Sequence, residues 1–177
     1  MYRLRELQRE DIPKINKWRN NEELIRLLGA PFRFINIDVD YKWYDNYMSN
    51  RDRAVRCAIV DTENKHDILG LVSLTNIDLL NQSAIFHIMI GDANVRGKGL
   101  GHFATTKILL HAFTNMNIHR IELSVLTNNI PAIQLYEKVG FKKEGISRES
   151  IYKDGQFVDV QIMSILKYEF LNSQGVL

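Results

Sequence analysis

The sequence predicts an α+β fold with a single β-α-β unit in its middle, and three observations carry that reading. The apolar run Ile88-Met89-Ile90 gives way to a polar link, then to Gly97, Gly99 and Gly101 alternating with other residues, then at once to an amphipathic segment and a β-rich run. Two polar links, Asp61 to His66 and Lys153 to Gln156, each separate two β-rich runs and read as hairpin connections. Further β-α-β repeats are missing, which argues against a doubly wound parallel sheet.

Taken in order, Tyr2 to Leu7 forms a short strand. Asp11 stands as N-cap before Pro13, and Ile12, Ile15 and Trp18 recur at helical spacing. Glu22 to Leu28 continues as a second short helix stopped by Gly29 and Pro31. Residues 38–50 hold Trp43, Tyr44 and Tyr47 on a third. Val55 to Val60 and Ile68 to Leu74 are the hairpin strands, and Ser83 to Ile90 is the next strand. Ala104, Ile108, Leu109, Ala112, Phe113 and Met116 mark one face of the helix after the glycines. Ile121 to Leu126 returns as a strand. Asn128-Asn129 caps a helix carrying Ala132, Leu135, Tyr136 and Val139, and Gly140 ends it. Phe141 to Tyr152 and Phe157 to Leu166 form the last hairpin. No long linker or repeat interrupts the 177 residues, so one domain is expected.

Bulk properties exclude several classes. A net charge of +2 gives no global argument for nucleic acid or an anionic membrane. Cys57 is alone, and a free buried thiol fits a reducing compartment. The five histidines show no metal-ligand spacing. The start Met1-Tyr2-Arg3-Leu4-Arg5-Glu6 is too charged for a signal peptide, and no apolar run approaches the ~20 residues of a membrane span. A cytoplasmic protein without membrane or nucleic-acid partners is expected.

The glycine segment carries the chemistry. Glycine reaches positive φ and admits a ligand with no Cβ in the way, while a helix start offers free N–H groups and the positive end of the macrodipole. Together they make a phosphate cradle. Gly99-Leu100-Gly101-His102-Phe103-Ala104 fits a dinucleotide fingerprint, with Glu122 further on. That fingerprint follows its strand almost directly, whereas about eight residues separate Ile90 from Gly99 here. A Walker A loop is excluded because Asp92 stands at its first glycine and Gly99 at its Ser/Thr. A glycine turn of purely structural use is the bland alternative.

Arg96-Gly97-Lys98-Gly99-Leu100-Gly101 fits R-x-x-G-x-G, and Asn129 to Phe141 reads N-x-x-A-x-x-L-Y-E-K-x-G-F. In these two blocks, on consecutive β-α units, the chain resembles the GNAT superfamily of acyl-CoA-dependent N-acyltransferases. A weaker match is the terminal hairpin, with Asp154-Gly155-Gln156 and Asp159 near Met163. The clear resemblance covers residues 83–167; Leu4-Arg5 and Trp18-Arg19-Asn20 suggest the branch of ribosomal-protein N-terminal, spermidine and amino-sugar-nucleotide acetyltransferases. The resemblance implies a mixed, mostly antiparallel sheet, splayed at the central β-α-β unit and flanked by helices. It makes residues 83–167 the acetyl-CoA-binding core and residues 1–80 the acceptor side. Backbone N–H groups from Arg96 through Gly97, Lys98, Gly99, Leu100 and Gly101 to His102 would bind the pyrophosphate of coenzyme A. Unpaired backbone of Ile88, Met89 and Ile90 would pair with the pantetheine arm like an added strand. The Arg96 and Lys98 side chains reach phosphates or are solvated. Asn129 touches the cofactor, caps its helix, or does both.

Acetyl transfer to an amine sets the remaining demands. A primary amine of pKa about 10.4 is neutral in only about one molecule in 2,500 at neutral pH, and supplying that form costs about 4–5 kcal/mol. Deprotonation, carbonyl polarisation by a backbone N–H near Met89 or Ile90, and an acid for the departing thiolate are needed. The resemblance assigns Tyr136 as that acid; by spacing alone it is a core aromatic sharing a face with Ala132 and Val139. Many relatives place a glutamate in a pattern like A-E-F, but Ala84-Ile85-Phe86 has isoleucine there. His87 shares that strand face and titrates in a suitable range, or is an ordinary strand histidine. The resemblance puts Glu22 and Glu23 in the helix pair that covers the acceptor site, where either attracts a cationic amine or is merely solvated.

Three functions follow: an acetyl-CoA-dependent N-acetyltransferase working by direct transfer, since no cysteine sits in either motif; a CoA-binding sensor that lost catalysis; and a dinucleotide-binding oxidoreductase. The resemblance favours a small-molecule amine, polyamine or amino-sugar nucleotide, as acceptor over a protein N-terminus, and Trp18, Arg19, Arg33, Phe34 and Trp43 either line its pocket or serve as core and rim. A homodimer is common in such families.

Overall fold

The computed structural model describes residues 1–63 and 67–175, so Asn64, Lys65 and His66 of the first hairpin link lie outside the described residues. A seven-stranded sheet runs β1 (Tyr2–Glu6), β2 (Val55–Asp61), β3 (Ile68–Asp78), β4 (Ser83–Ile90), β5 (Arg120–Leu126), β7 (Gln156–Leu166), β6 (Lys142–Lys153) from edge to edge. Every neighbouring pair is antiparallel except β4 and β5. One α-helical connection, α4 (Leu100–Asn115), joins those two, as a parallel crossover requires. The mixed, mostly antiparallel sheet expected from the resemblance is the one found.

Helices cover both faces, and period-2 alternation decides which side chains meet them. Val72, Leu74, Phe86, Leu123 and Met163 point to the face under α4, α5 (Ile130–Val139) and α6 (Lys167–Ser173), where Ile108, Leu109, Phe113 and Phe170 complete the larger core. Ala58, Val60 and Ile68 serve the opposite face, under α1 (Ile12–Arg19), α2 (Glu22–Arg26) and α3 (Ile37–Ser49), with Ile12, Ile15, Trp18 and Tyr47.

Two local expectations are corrected. Asp11 occupies the N-cap position of α1 but is already helical, and its side chain makes no capping bond to α1. Its carboxylate accepts two bonds from Arg5, at 2.8 and 2.7 Å, and one from the Gln8 N–H at 2.8 Å. An ionised guanidinium and the preceding turn compete for it more strongly than the helix start. The second helix ends at Arg26, two residues short of expectation, because Leu27 and Leu28 turn back with tight bonds to Leu24 and Ile25. Helix α6 was not anticipated: its pattern is short, though Glu169 caps the Leu166 N–H at 3.1 Å.

Candidate active site

The parallel pair is short, and that makes the site. Strands β4 and β5 are in register only from Ser83 to Ile85 against Arg120 to Glu122. Beyond this, Phe86 to Ile90 pair with β3 alone and Leu123 to Leu126 with β7 alone. Contacts at the far end hold the strands apart. The amides of Gly91 and Asp92 both donate to the Leu69 carbonyl, at 3.0 and 3.2 Å, which draws β4 toward β3. The Thr127 N–H donates to Asp159 O at 3.2 Å, which keeps the end of β5 on β7. Gly91 is required there: a Cβ would lie 1.9 Å from the Trp18 indole. The splay opens a cavity of about 780 Å³ whose walls include Phe86 to Met89 and Leu123 to Leu126.

The glycine loop stands at the head of α4. Gly97 and Gly99 lie in the left-handed region, at φ +72° and +83°, and a Cβ on either would meet nothing within 4 Å. Backbone conformation, not crowding, demands these two glycines, and the space above them is open. Gly99 is the N-cap of α4 and contributes no side-chain bond. The first intrahelical donor is Phe103, at 3.0 Å to Gly99 O, so the amides of Leu100, Gly101 and His102 remain as helix-start donors. Gly101 serves packing instead: its Cβ would sit 3.0 Å from Leu135 of α5. The Arg96 Nε donates to the Ile90 carbonyl at 3.1 Å, tying the loop to the end of β4. Lys98 is exposed.

Helix α5 brings the second block. Asn129 accepts from Ala132 N at 3.3 Å and donates to Leu27 O at 2.9 Å, so it caps α5 and fastens the turn after α2. The amides of Gly140 and Phe141 both return to Tyr136 O, at 3.1 and 2.9 Å. This termination sets the Phe141 ring 5.8 Å from the Tyr136 ring, and Phe86 stands edge-on at 5.9 Å. Tyr136 is buried, lines the cavity, and has its pKa pushed up to about 12 by desolvation.

Tyr136 reaches the cavity from the α5 side of the sheet, and His87 from the α1–α3 side. Only the gap between β4 and β5 lets both face one space. His87 Nε2 lies 2.9 Å from Thr75 Oγ1. It presents surface to the cavity, yet the surrounding protein and the Arg56 charge lower its pKa below the ordinary 6.5. Ile85 leaves no carboxylate on this strand. Glu122 stands directly across the parallel pair from Ile85, but Arg120 holds it at 2.9 Å, which also removes it from the ribose role a dinucleotide site would need.

The acceptor-side expectations divide. Arg19 and Trp43 line the cavity. Trp18 is buried against Gly91, and Phe34 is 90% exposed; neither lines it, nor does Arg33. Glu22 and Glu23 are exposed and likewise lie outside its lining, because α2 buries Leu24 and Ile25 inward. The sequence reading missed Lys153. This buried lysine donates to Ile25 O at 2.8 Å and Ala30 O at 2.9 Å, so the last hairpin holds the turn that roofs the cavity. A lysine directly before Asp154-Gly155 gives no periodic signal. Cys57 is half-buried, absent from the cavity lining, and its thiol is pushed up to about 11 by burial. Among the described residues no group of three or more potential ligands could hold a metal, and no helix is long and apolar enough to cross a membrane.

Comparison with known proteins agrees with this geometry. The GNAT acetyltransferase domain family matches residues 2–142. The spermidine N(1)-acetyltransferase of Vibrio cholerae is 32% identical over 170 residues, covering 96% of this chain and 95% of its own. A crystal structure of spermidine N-acetyltransferase from that organism, in complex with CoA and spermine, superposes with a TM-score of 0.90 at 30% identity, over 97% of this chain and 98% of that one. A putative ribosomal N-acetyltransferase of Bacillus subtilis, YdaF, is 29% identical over 58% of this chain and 56% of its own. With the splayed strands, the glycine cradle and the family match in agreement, the chain belongs to the GNAT family and is an N-acetyltransferase that takes its acyl group from acetyl-CoA.

Proposed function

We propose that this enzyme acetylates a primary amine of a small molecule by direct transfer within a ternary complex. The observation that carries this is the meeting of Tyr136 and His87, from opposite faces of the sheet, in the gap between β4 and β5. In this reading residues 83–167 hold the donor. Amides from Gly97 to His102 take the pyrophosphate, the Arg96 N–H being already bonded to Ala93 O, and the edge of Ile88 to Ile90 that β5 leaves unpaired takes the pantetheine amides, with the Ile90 carbonyl already held by Arg96 Nε. Residues 1–80 supply the acceptor side.

The chain's own groups then divide the proton work. With Nε2–H turned to Thr75, Nδ1 of His87 is a neutral acceptor at pH 7 because its pKa is lowered. It takes the proton that the attacking amine must lose. A backbone N–H near Met89 polarises the carbonyl. A tyrosine at about 12 facing a thiol of about 8.5 does not surrender its proton outright. Tyr136 therefore acts as a hydrogen-bond donor to the developing thiolate. The high pKa of Cys57 and its place outside the cavity support direct transfer over an acyl-enzyme.

Two acceptor classes have support. Relatives aligned over nearly the whole chain, named as spermidine acetyltransferases, favour a polyamine. The cavity lining includes Arg19 and Arg56 and no Asp or Glu among the described residues, which favours an acceptor that also carries an anion, such as an amino-sugar nucleotide. The match to a putative ribosomal enzyme spans 58% of the chain and supports a protein N-terminus less. Release of free thiol from acetyl-CoA is measured with polyamines, amino-sugar nucleotides and N-terminal peptides. Turnover with a small amine is expected; turnover with peptides alone, or CoA binding without turnover on any amine, overturns the reading.

A further inference from the structure

The cavity contains a positive charge that the protein does not balance. Arg56 on β2 stands opposite Ser73 on β3, and Ser73 opposite His87 on β4, so the three share one face in a row. The Arg56 guanidinium lies 4.7 Å from the Trp43 ring centre and 5.7 Å from that of Tyr47. These rings fix its plane without neutralising it. Among the described residues Arg56 forms no salt bridge, and its Nε is buried with no hydrogen-bond partner. An unmet buried donor is costly, and because this Nε has no accessible surface, it is the rest of the half-buried guanidinium that a ligand in the cavities meets. Arg19, the other guanidinium of the main cavity, differs: the fully buried Asp40 pairs with it.

A second cavity of about 320 Å³ adjoins the first at Arg56, with Trp43, Thr75 and Asn76 also common to both. Neither is lined by an Asp or Glu among the described residues; the charged side chains that line them are Arg19, Arg53 and Arg56. A polyamine, with several positive charges and no anion, meets no opposite charge here.

We propose that Arg56 sets acceptor specificity by binding an anionic group, a carboxylate or a phosphate, on the same molecule whose primary amine is acetylated. The guanidinium fork matches both groups in two-point geometry. Two strand spacings, about 10 Å, separate the backbones of Arg56 and His87, so amine and anion lie several bonds apart. This deepens the proposed function and rests on it.

Matched acceptor pairs test it: cadaverine against lysine for the carboxylate, glucosamine against glucosamine 6-phosphate for the phosphate, with spermidine as the purely cationic reference. Loss of a charged hydrogen bond corresponds to about ten- to a hundredfold. The anionic member of at least one pair is expected to lead in kcat/KM by that factor. Arg56→Gln brings the ratio near one with the acetyl-CoA KM unchanged, and Arg56→Lys keeps part of the preference. Which pair responds tells carboxylate from phosphate. Preference for spermidine or the parent amines, or a ratio that Arg56→Gln leaves intact, overturns the inference. A second measurement is independent of turnover: with CoA saturating the glycine cradle, inorganic phosphate raises the thermal midpoint of the wild type more than that of Arg56→Gln. Equal shifts overturn the anion site. Arg56-dependent phosphate binding in a chain that acetylates no amine keeps the site and removes the proposed function instead.

Discussion

At the scale of single residues, the chemistry depends on environment more than on type. Tyr136 is an ordinary aromatic of a helix face until Phe86 and Phe141 desolvate it and the cavity meets its edge. Tyr136→Phe keeps the ring packing and is expected to lower kcat by about a hundredfold or more, with the acetyl-CoA KM within about twofold; steady-state kinetics check this. His87 makes a pH prediction. As a base it must be neutral, and its folded pKa lies below 6.5, so kcat/KM should fall as pH drops through that lower value. His87→Ala should lose this acid limb. Stability has the same sign: the fold favours the neutral ring, so the contribution is complete above about 6.5 and lost as pH falls toward the folded value. Chemical denaturation between pH 5 and pH 7, on wild type and His87→Ala, reads that slope.

At the scale of elements, the two sequence blocks prove to be two helix starts with different jobs. α5 is closed by a side chain, Asn129, whereas α4 begins on Gly99 with its first amides uncapped. Gly99→Ala would force a side chain into φ +83° with nothing to gain in packing. It is expected to cost about 1 kcal/mol in stability and to raise the acetyl-CoA KM while leaving the acceptor KM alone. Titrating thermal stability with CoA measures both effects. Both helices were legible from Gly, Asn and Pro at their ends, because those residues act through local backbone geometry. The cap at Asp11 was misread for the opposite reason: Arg5 on β1 reaches it through tertiary structure.

At the scale of the whole molecule, the turn after α2 that lines the cavity is held by long-range contacts. Lys153 on β6 clamps Ile25 and Ala30, 128 and 123 residues away in sequence. Lys153→Met keeps the stem and deletes both bonds, so the global stability should fall by about 2 kcal/mol and the acceptor KM rise with the acetyl-CoA KM unchanged; a denaturant curve and two-substrate kinetics separate these. Coenzyme A at about a hundred times its Kd should stabilise the chain by about 2.7 kcal/mol, and NAD should not. That pair of melts distinguishes the CoA cradle from the dinucleotide reading.

The sequence by itself determined the local structure of the segments proposed to hold the donor. The strand, glycine loop and helix from Ile88 to Leu109, and the block from Asn129 to Phe141, are written in local rules: φ preferences, capping and periodicity. Tertiary structure alone decided the surroundings of the cavity proposed to take the acceptor. Whether Arg56 finds a carboxylate, whether Glu22 faces solvent, and whether Tyr136 and His87 share a space depend on which strands separate and which loops return. Those are properties of contacts between residues far apart in the chain, and no spacing along it records them.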